Sequence, residues 1–245
     1  MMKIGAIQTA YLPWLGFFDQ ICQCDLFIIY DDLQYTKKDW RNRNRIKTSE
    51  GAMWLTVPVV SKAGHKKKIN EIQIDTDVRW AAQHWKSLKM NYLKAPFFIQ
   101  HSDFFHNLYK KNWKQLASLN REIIGACLHW LKIQTEVLYS SESGIEQNYI
   151  SWCDGKVDAT ERIVYLCRRF NARCFLEGPA GKNYIKDDLL EDAGICLEYH
   201  NYPHPVYSQR FGKFIPYLSI VDLLFNHGDE SLSILTNGAA PVKSN

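Results

Sequence analysis

The 245-residue chain predicts an α/β fold built on a largely parallel sheet, with helices alone filling its middle. Two patterns carry that expectation. Short apolar runs of strand length alternate with segments of helical period toward both ends of the chain. From about residue 78 to 131, only the helical period is present. No internal repeat, low-complexity stretch or clean linker interrupts the chain, so the expectation is one domain over 1–235, a helical insertion at about 78–131 and a loose tail at 236–245.

Lys3 to Ile7 is short and apolar and reads as a first strand buried on both faces. Pro13 has a fixed φ and no amide hydrogen to lose, which suits the first turn of a helix from about Trp14 to Cys24. Leu26 to Tyr30 is a second apolar run, closed by Asp31 and Asp32. Met53 to Val60 reads as a third strand that Pro58 confines to an edge or to an end of pairing. Ser61 to Lys68 is a basic loop, and Ile69 to Ile74 a short strand. Val78–Lys94, Phe97–Tyr109 and Trp113–Leu131 are helices, the first stopped by Pro96. Glu136–Ser140 is a strand, Ser141–Gln147 a polar loop and Lys156–Asn171 a helix. Arg173–Glu177 is a strand that runs into Gly178-Pro179-Ala180-Gly181-Lys182-Asn183-Tyr184, a turn whose spacing is not that of a Walker A loop. Asp187–Ala193 is a helix and Cys196–Tyr202 a strand. Lys213 to Gly228 closes the fold as a helix with Ser219 as cap and Gly228 as stop. The sum is a Rossmann-like arrangement, a parallel sheet flanked by helices.

Composition narrows the chemistry. A hydrophobic share of 46% with 23% charged residues is that of a globular protein, and a net charge of +4 is mild, so positive charge matters by where it clusters. Seven cysteines with no C-x-x-C pair read as reduced thiols, and the cysteine and histidine spacings match no zinc motif, so no metal is expected. The start of the chain lacks a signal-peptide pattern and no run of about 18 apolar residues occurs, so the expectation is a cytoplasmic protein without membrane insertion.

The densest charge lies between Lys37 and Lys47, which holds Lys37, Lys38, Arg41, Arg43, Arg45 and Lys47 against Asp39. Run extended, this segment puts Arg41, Arg43 and Arg45 on one face, with Trp40, Asn42 and Asn44 on the other. Guanidinium forks in a row suit a phosphate or carboxylate, although a solvated basic loop has the same composition. Asp31 and Asp32 end a buried strand, a position from which carboxylates hold a ribose hydroxyl, a metal-bound phosphate or an amine; a salt bridge into the arginine stretch is the alternative. The loop after the first strand, with Gln8, Thr9 and Tyr11, sits where α/β proteins place anions and active sites.

Several runs resemble one family: Gln8 to Phe18, Asp31-Asp32-x-Gln34-Tyr35, Trp40-Arg41-Asn42-Arg43-Asn44-Arg45-Ile46-Lys47, Trp54-Leu55-Thr56-Val57-Pro58-Val59, Gly181-Lys182-x-Tyr184 and Ser219-x-x-Asp222-Leu223-Leu224-Phe225-Asn226-x-Gly228. Together they are similar to the WbqC-like family of bacterial O-antigen and polysaccharide gene clusters. The resemblance implies a role in making a modified surface sugar, by N-acyl or aminoacyl (glycyl) transfer onto an amino sugar. Where members often carry a proline after the glutamine and some a histidine before it, this chain has Thr9 and Ile7, which argues against a histidine mechanism at that loop.

Residue chemistry and resemblance meet on a transferase with a nucleotide-linked sugar as partner and an activated acyl or aminoacyl donor, aminoacyl-tRNA among the candidates. Asp31 or Asp32 is the expected base, with Gln8 beside them as a catalytic candidate. Tyr11, Gln34, Tyr35, Trp40, Arg41, Asn42, Arg43, Asn44, Arg45, Lys182, Tyr184 and His204 are the expected substrate-binding residues, with either the backbone around Thr9 or the Asn42 and Asn44 amides as oxyanion donors. RNA or tRNA binding, and a non-catalytic nucleotide-sugar-binding scaffold, are the readings from other classes. A second copy of the chain, in a homo-oligomer, is a further expected partner.

Overall fold

The computed structural model describes residues 1–60 and 67–237. The predicted basic loop at 61–68 falls mostly outside these residues, as does most of the predicted tail. In chain order the elements begin with β1 (Lys3–Gln8), α1 (Leu15–Cys22), β2 (Leu26–Tyr30), β3 (Arg43–Thr48) and β4 (Gly51–Thr56). The helices α2 (Trp80–Tyr92), α3 (Phe98–Lys110) and α4 (Leu116–Trp130) follow. Then come β5 (Glu136–Tyr139), α5 (Ile145–Trp152), α6 (Ala159–Arg169), β6 (Cys174–Glu177), α7 (Asp187–Asp192) and β7 (Cys196–Tyr199). The described chain closes with α8 (Ile220–His227) and α9 (Ser231–Asn237). The chain divides into two compact units: unit 1 is Met1–Gln8, Asp19–Leu33 and Gln134–Tyr202, and unit 2 is Thr9–Phe18, Gln34–Ile133 and Pro203–Asn245.

Unit 1 is the predicted parallel α/β sheet. Its five strands run in the order β5-β2-β1-β6-β7, every neighbouring pair parallel. The chain starts in the middle strand, builds outward through β2 and β5, then returns to build the other way through β6 and β7. The order therefore reverses between β1 and β6, and the carboxyl ends of those two strands form the switch point at which open α/β sheets take their ligands. All five residues of β2 are buried, as a continuous apolar run in a covered parallel sheet should be. One face of the sheet packs Ile4, Leu26, Ile28 and Phe175 against Ile163, Val164, Leu166 and Cys167 of α6. Asp158 caps α6 by accepting from the Thr160 and Glu161 amides. The predicted loop at 141–147 contains instead the start of α5, whose Ile145 and Tyr149, four apart, are both fully buried. Those two inward apolar residues in eight were too few to show a period.

Unit 2 holds the helices α2, α3 and α4 and an antiparallel hairpin of β3 and β4, registered from Arg43↔Thr56 to Thr48↔Gly51. Part of the predicted basic run is thus a strand. The predicted strand at Ile69–Ile74 is a 3-10 turn at Ile69–Glu71 followed by two isolated bridges, Gln73↔Gln115 and Val59↔Ile74. Ile69 and Ile72 are buried three apart by that turn, the Ile72 amide donating to the Ile69 carbonyl. The closing helix starts at Ile220, not at 213, because Pro216 lacks an amide hydrogen and Tyr217 has φ 58, both incompatible with a helical turn. Ser219 caps it, its hydroxyl accepting from the Val221 amide, and Gly228 at φ 49 stops it. A Cβ on Gly228 would stand 2.3 Å from the Phe97 ring, so both backbone and space demand glycine. Among the described residues, no helix is long and apolar enough to cross a membrane.

Candidate functional site

At the carboxyl ends of β2 and β5, unit 1 gathers carboxylates and hydroxyls. Asp31 accepts from the Ser141 amide at 3.0 Å and from its hydroxyl at 2.7 Å, which orients the carboxylate. Asp32 is 8% exposed and its Oδ1 has no hydrogen-bond partner among the described residues. Burial raises its pKa, the negative charges of Asp31 and Glu146 add to the effect, and the Ser140 hydroxyl offsets part of it. Glu146 is held in a bidentate pair by Arg162, at 2.9 and 2.8 Å, and the Arg162 guanidinium carbon lies 4.9 Å from the Tyr149 ring centroid and 6.0 Å from that of Tyr30. The Tyr30 hydroxyl is buried without a hydrogen-bond partner among the described residues. Gln8 ends β1 opposite Tyr30 in register.

At the switch point itself stands Glu177, the last residue of β6. Its Oε1 accepts from the Gly178 amide at 3.0 Å and from the Tyr184 hydroxyl at 3.3 Å. Burial nevertheless pushes its pKa up to about 7, against the lowering effect of those two hydrogen bonds. A carboxyl that titrates at the operating pH is suited to moving protons. Gly181 makes room for it, since a Cβ there would stand 2.3 Å from the Glu177 Cγ. Gly181→Ala is therefore expected to displace Glu177 and to destabilise by about 1–3 kcal/mol, read as a fall in the thermal midpoint. Lys182 lies 5.2 Å over the Tyr199 ring, and Tyr184 is half exposed beside Glu177.

One residue past β7, His200 places Nε2 2.7 Å from Asp19 Oδ2, with both side chains almost fully buried. Gln23 donates to the same oxygen at 2.6 Å, and the Tyr202 ring stacks on the imidazole. A carboxylate that orients an imidazole is the arrangement of a general base. The His200 amide donates to the Glu177 carbonyl at 2.7 Å, which ties this pair to the switch point.

In unit 2 the hairpin separates the basic run into two faces. Arg43 and Arg45 share one face with Trp54, which pairs with Arg45 in register. Their guanidinium carbons lie 4.4 and 5.6 Å from the Trp54 ring centroid, and Trp40 packs on Trp54 at 5.6 Å. Both indoles are solvent-exposed, at 38% for Trp40 and 45% for Trp54. Trp40 thus joins the arginine face rather than the asparagine face, because residues 40–42 form a turn before β3 begins. Arg43 donates to the Lys38 carbonyl at 2.6 Å and Arg45 to the Tyr217 carbonyl at 3.3 Å. The Nε of each has no partner among the described residues. Arg41 is mostly buried and lies 3.5 Å from Asp39, so part of its charge is already answered. Tyr35 is buried close by; burial raises its pKa and the Arg43 and Arg41 cations pull it back.

Other predicted binding residues have different places. Asn42 and Asn44 are buried, and each amide nitrogen donates a hydrogen bond, to the carbonyls of Val57 at 2.8 Å and Leu12 at 2.6 Å, which fixes the hairpin. Tyr11 is fully buried with its hydroxyl on His84 Nδ1 and Tyr109, an internal network out of a ligand's reach. His204 has its Nδ1 2.8 Å from the Pro205 carbonyl, and its Nε2 accepts from the Tyr217 amide at 3.1 Å. Burial lowers its pKa, so a neutral imidazole braces the loop. Gln34 is exposed and bridges to Lys68. Asp31, Asp32 and Gln8 belong to unit 1, the arginines to unit 2.

A model of the WbqC-like protein family matches residues 8–234. The chain belongs to the WbqC-like protein family. It is also 40% identical over 234 residues to the uncharacterized protein Rv1507c of Mycobacterium tuberculosis, covering 94% of this chain and 96% of that one. No solved structure matches it significantly.

In this WbqC-like chain three features had escaped the reading of the sequence. Glu177 looked like the polar end of an apolar strand, and only burial distinguishes it. Asp19 and His200 are 181 residues apart in sequence, and nothing local links them. Trp54 was visible inside a family-like run, but its place among the arginines needs the hairpin register. Two clefts of unit 1, about 360 and 250 Å³, open between α6 and α7 around Arg168 and are lined by none of the candidate site residues.

Proposed function

We propose that this protein is a cytoplasmic transferase of surface-polysaccharide sugar modification, which moves an acyl or aminoacyl group, glycyl among them, onto the amine of a nucleotide-linked amino sugar. The observation that carries this reading is the pair Arg43 and Arg45 stacked on exposed Trp54, with donors left over after their two carbonyl contacts. Two guanidinium forks side by side match the oxygens of a diphosphate, and an indole offers a face to a base or a sugar ring. Acyl transfer to nitrogen also needs a group that takes a proton from the ammonium before attack. Within unit 1, taken by itself, Glu177 is the carboxyl whose chemistry suits such a proton transfer at neutral pH, with Asp32 second.

The test is calorimetric binding of a nucleoside-diphosphate amino sugar and of the free amino sugar to wild type and Arg43→Ala. The expected loss is roughly 10- to 100-fold for the diphosphate compound, the worth of a charge-assisted hydrogen bond, with no change for the free sugar. Equal losses for both would remove the diphosphate role. The exposed Trp40–Trp54 pair beside cations also favours a second reading, tRNA bound as the aminoacyl donor or as a ligand in itself. Affinity for glycyl-tRNA that falls steeply with salt and needs Trp54 would support it; affinity indifferent to Trp54→Ala would not.

A further inference from the structure

The amino end of the unit 1 sheet, opposite the carboxyl edge that bears Glu177, carries a second cluster of reactive side chains. Cys174 opens β6 and Cys196 opens β7, and the two stand directly opposite each other in the parallel register. Glu198, two residues on and therefore on the same face of β7, turns its carboxylate to them. The Cys174 Sγ, the Cys196 Sγ and a Glu198 oxygen all lie within 4.8 Å of one another. Cys174 donates to Glu198 Oε1 at 3.3 Å, while Lys3 holds the other oxygen, Oε2, at 2.6 Å. A further thiol flanks the group: the Cys24 Sγ lies 3.0 Å from where a Cβ on Gly5 would stand, and it feels the charges of Lys3 and Glu198.

We propose that Cys174, Cys196 and Glu198 form a binding site for a soft divalent cation of the zinc class. Two thiolates and a carboxylate are a donor set that such an ion takes in proteins, with a fourth position left to water. Around tetrahedral zinc, sulfurs bonded at about 2.3 Å stand roughly 3.8 Å apart, so donors already within 4.8 Å need to close by only about an ångström. The cation takes the place of the Cys174 proton on the Oε1 side. Lys3 keeps Oε2 and orients the carboxylate from behind, as outer-shell partners of metal ligands do. Cys196 and Glu198 face solvent and give the ion its way in, while Cys174 is buried behind them. On binding, both thiol protons pass to solvent and the sulfurs stay as thiolates, so affinity rises with pH.

The experiment titrates Co²⁺ into the reduced, metal-free full chain and follows the sulfur-to-cobalt charge-transfer band in the near ultraviolet. The expected result is a band that saturates at one equivalent, is displaced by Zn²⁺ and is abolished in Cys196→Ser. Glu198→Gln should weaken Co²⁺ binding at least about ten-fold, and Cys153→Ser, outside the cluster, should leave it unchanged. Cys196 and Glu198 are both exposed, so neither substitution endangers folding, and circular dichroism verifies this. Absence of the band in wild type, or a band that persists in Cys196→Ser, would overturn the site. Neither result bears on the role of Arg43 or Glu177.

Discussion

Glu177→Gln is expected to abolish most of the activity while making the protein more stable above pH 7. The two effects have one cause. The folded state raises the Glu177 pKa from 4.5 to about 7, so it prefers the protonated carboxyl, whereas the unfolded chain ionises it near its ordinary value. The associated stability is therefore fully present below about pH 4.5 and is lost as pH rises through about 7. A shift of this size corresponds at most to roughly 3 kcal/mol. Glutamine keeps the shape and an acceptor for Gly178 and Tyr184 but carries no charge to bury. Urea unfolding at pH 4 should find variant and wild type nearly equal, and at pH 8 should find the variant ahead. Loss of the proton acceptor should lower the turnover by about 10²- to 10⁴-fold and erase the limb of the pH profile near 7. A variant that is less stable at pH 8, or that keeps its turnover, would show that this carboxyl is neither strained nor used. A polar group kept at a cost to stability is what a working site looks like.

How far the sequence discloses this arrangement depends on whether a feature is local. The apolar runs of β1, β2 and β6 and the stripe of α4 are written within a few residues each, and all four elements form where they were expected. The alternation at 41–45 likewise showed which side of the strand would carry Arg43 and Arg45, because a two-residue period needs no partner. The antiparallel partner of that strand was not legible, and with it went the place of Trp54. The hydrogen bonds that Asn42 and Asn44 give to the carbonyls of Val57 and Leu12 were illegible for the same reason, since those carbonyls lie outside the strand. Glu177 depends on burial by residues far along the chain, and the dyad of Asp19 and His200 on the pairing of β7 with β6. Long-range register and desolvation are properties of the assembled sheet, and no window of sequence contains them.

Asp222→Ala is the second large effect, and it falls on stability. Asp222 is fully buried in the first turn of α8, where it accepts from the Tyr92 hydroxyl at 2.7 Å and the Tyr207 hydroxyl at 3.0 Å. The amino end of a helix favours a carboxylate there. Tyr92 in turn accepts from the Lys47 amide at 2.9 Å, and the Lys47 ammonium is held by the Gln209 side chain at 3.0 Å and the Lys213 carbonyl at 2.6 Å. Burial lowers the Lys47 pKa and Asp222 opposes that shift, so the carboxylate is a counter-charge to a 2% exposed lysine. Alanine leaves two phenols without their acceptor and removes the negative charge that opposes the Lys47 shift, and a loss of about 3–5 kcal/mol is expected, measured by urea unfolding. Asp222→Asn keeps an acceptor and should lose less. If the alanine variant loses under about 1 kcal/mol, the network is not holding β3. The chain runs from Lys47 along one short strand to Arg45 and Arg43, so the same substitution should also weaken their binding of a diphosphate at temperatures where the variant is still folded. A stability loss with arginine binding intact would separate the network from the site, and a loss of both would make Asp222 the positioning residue of the hairpin.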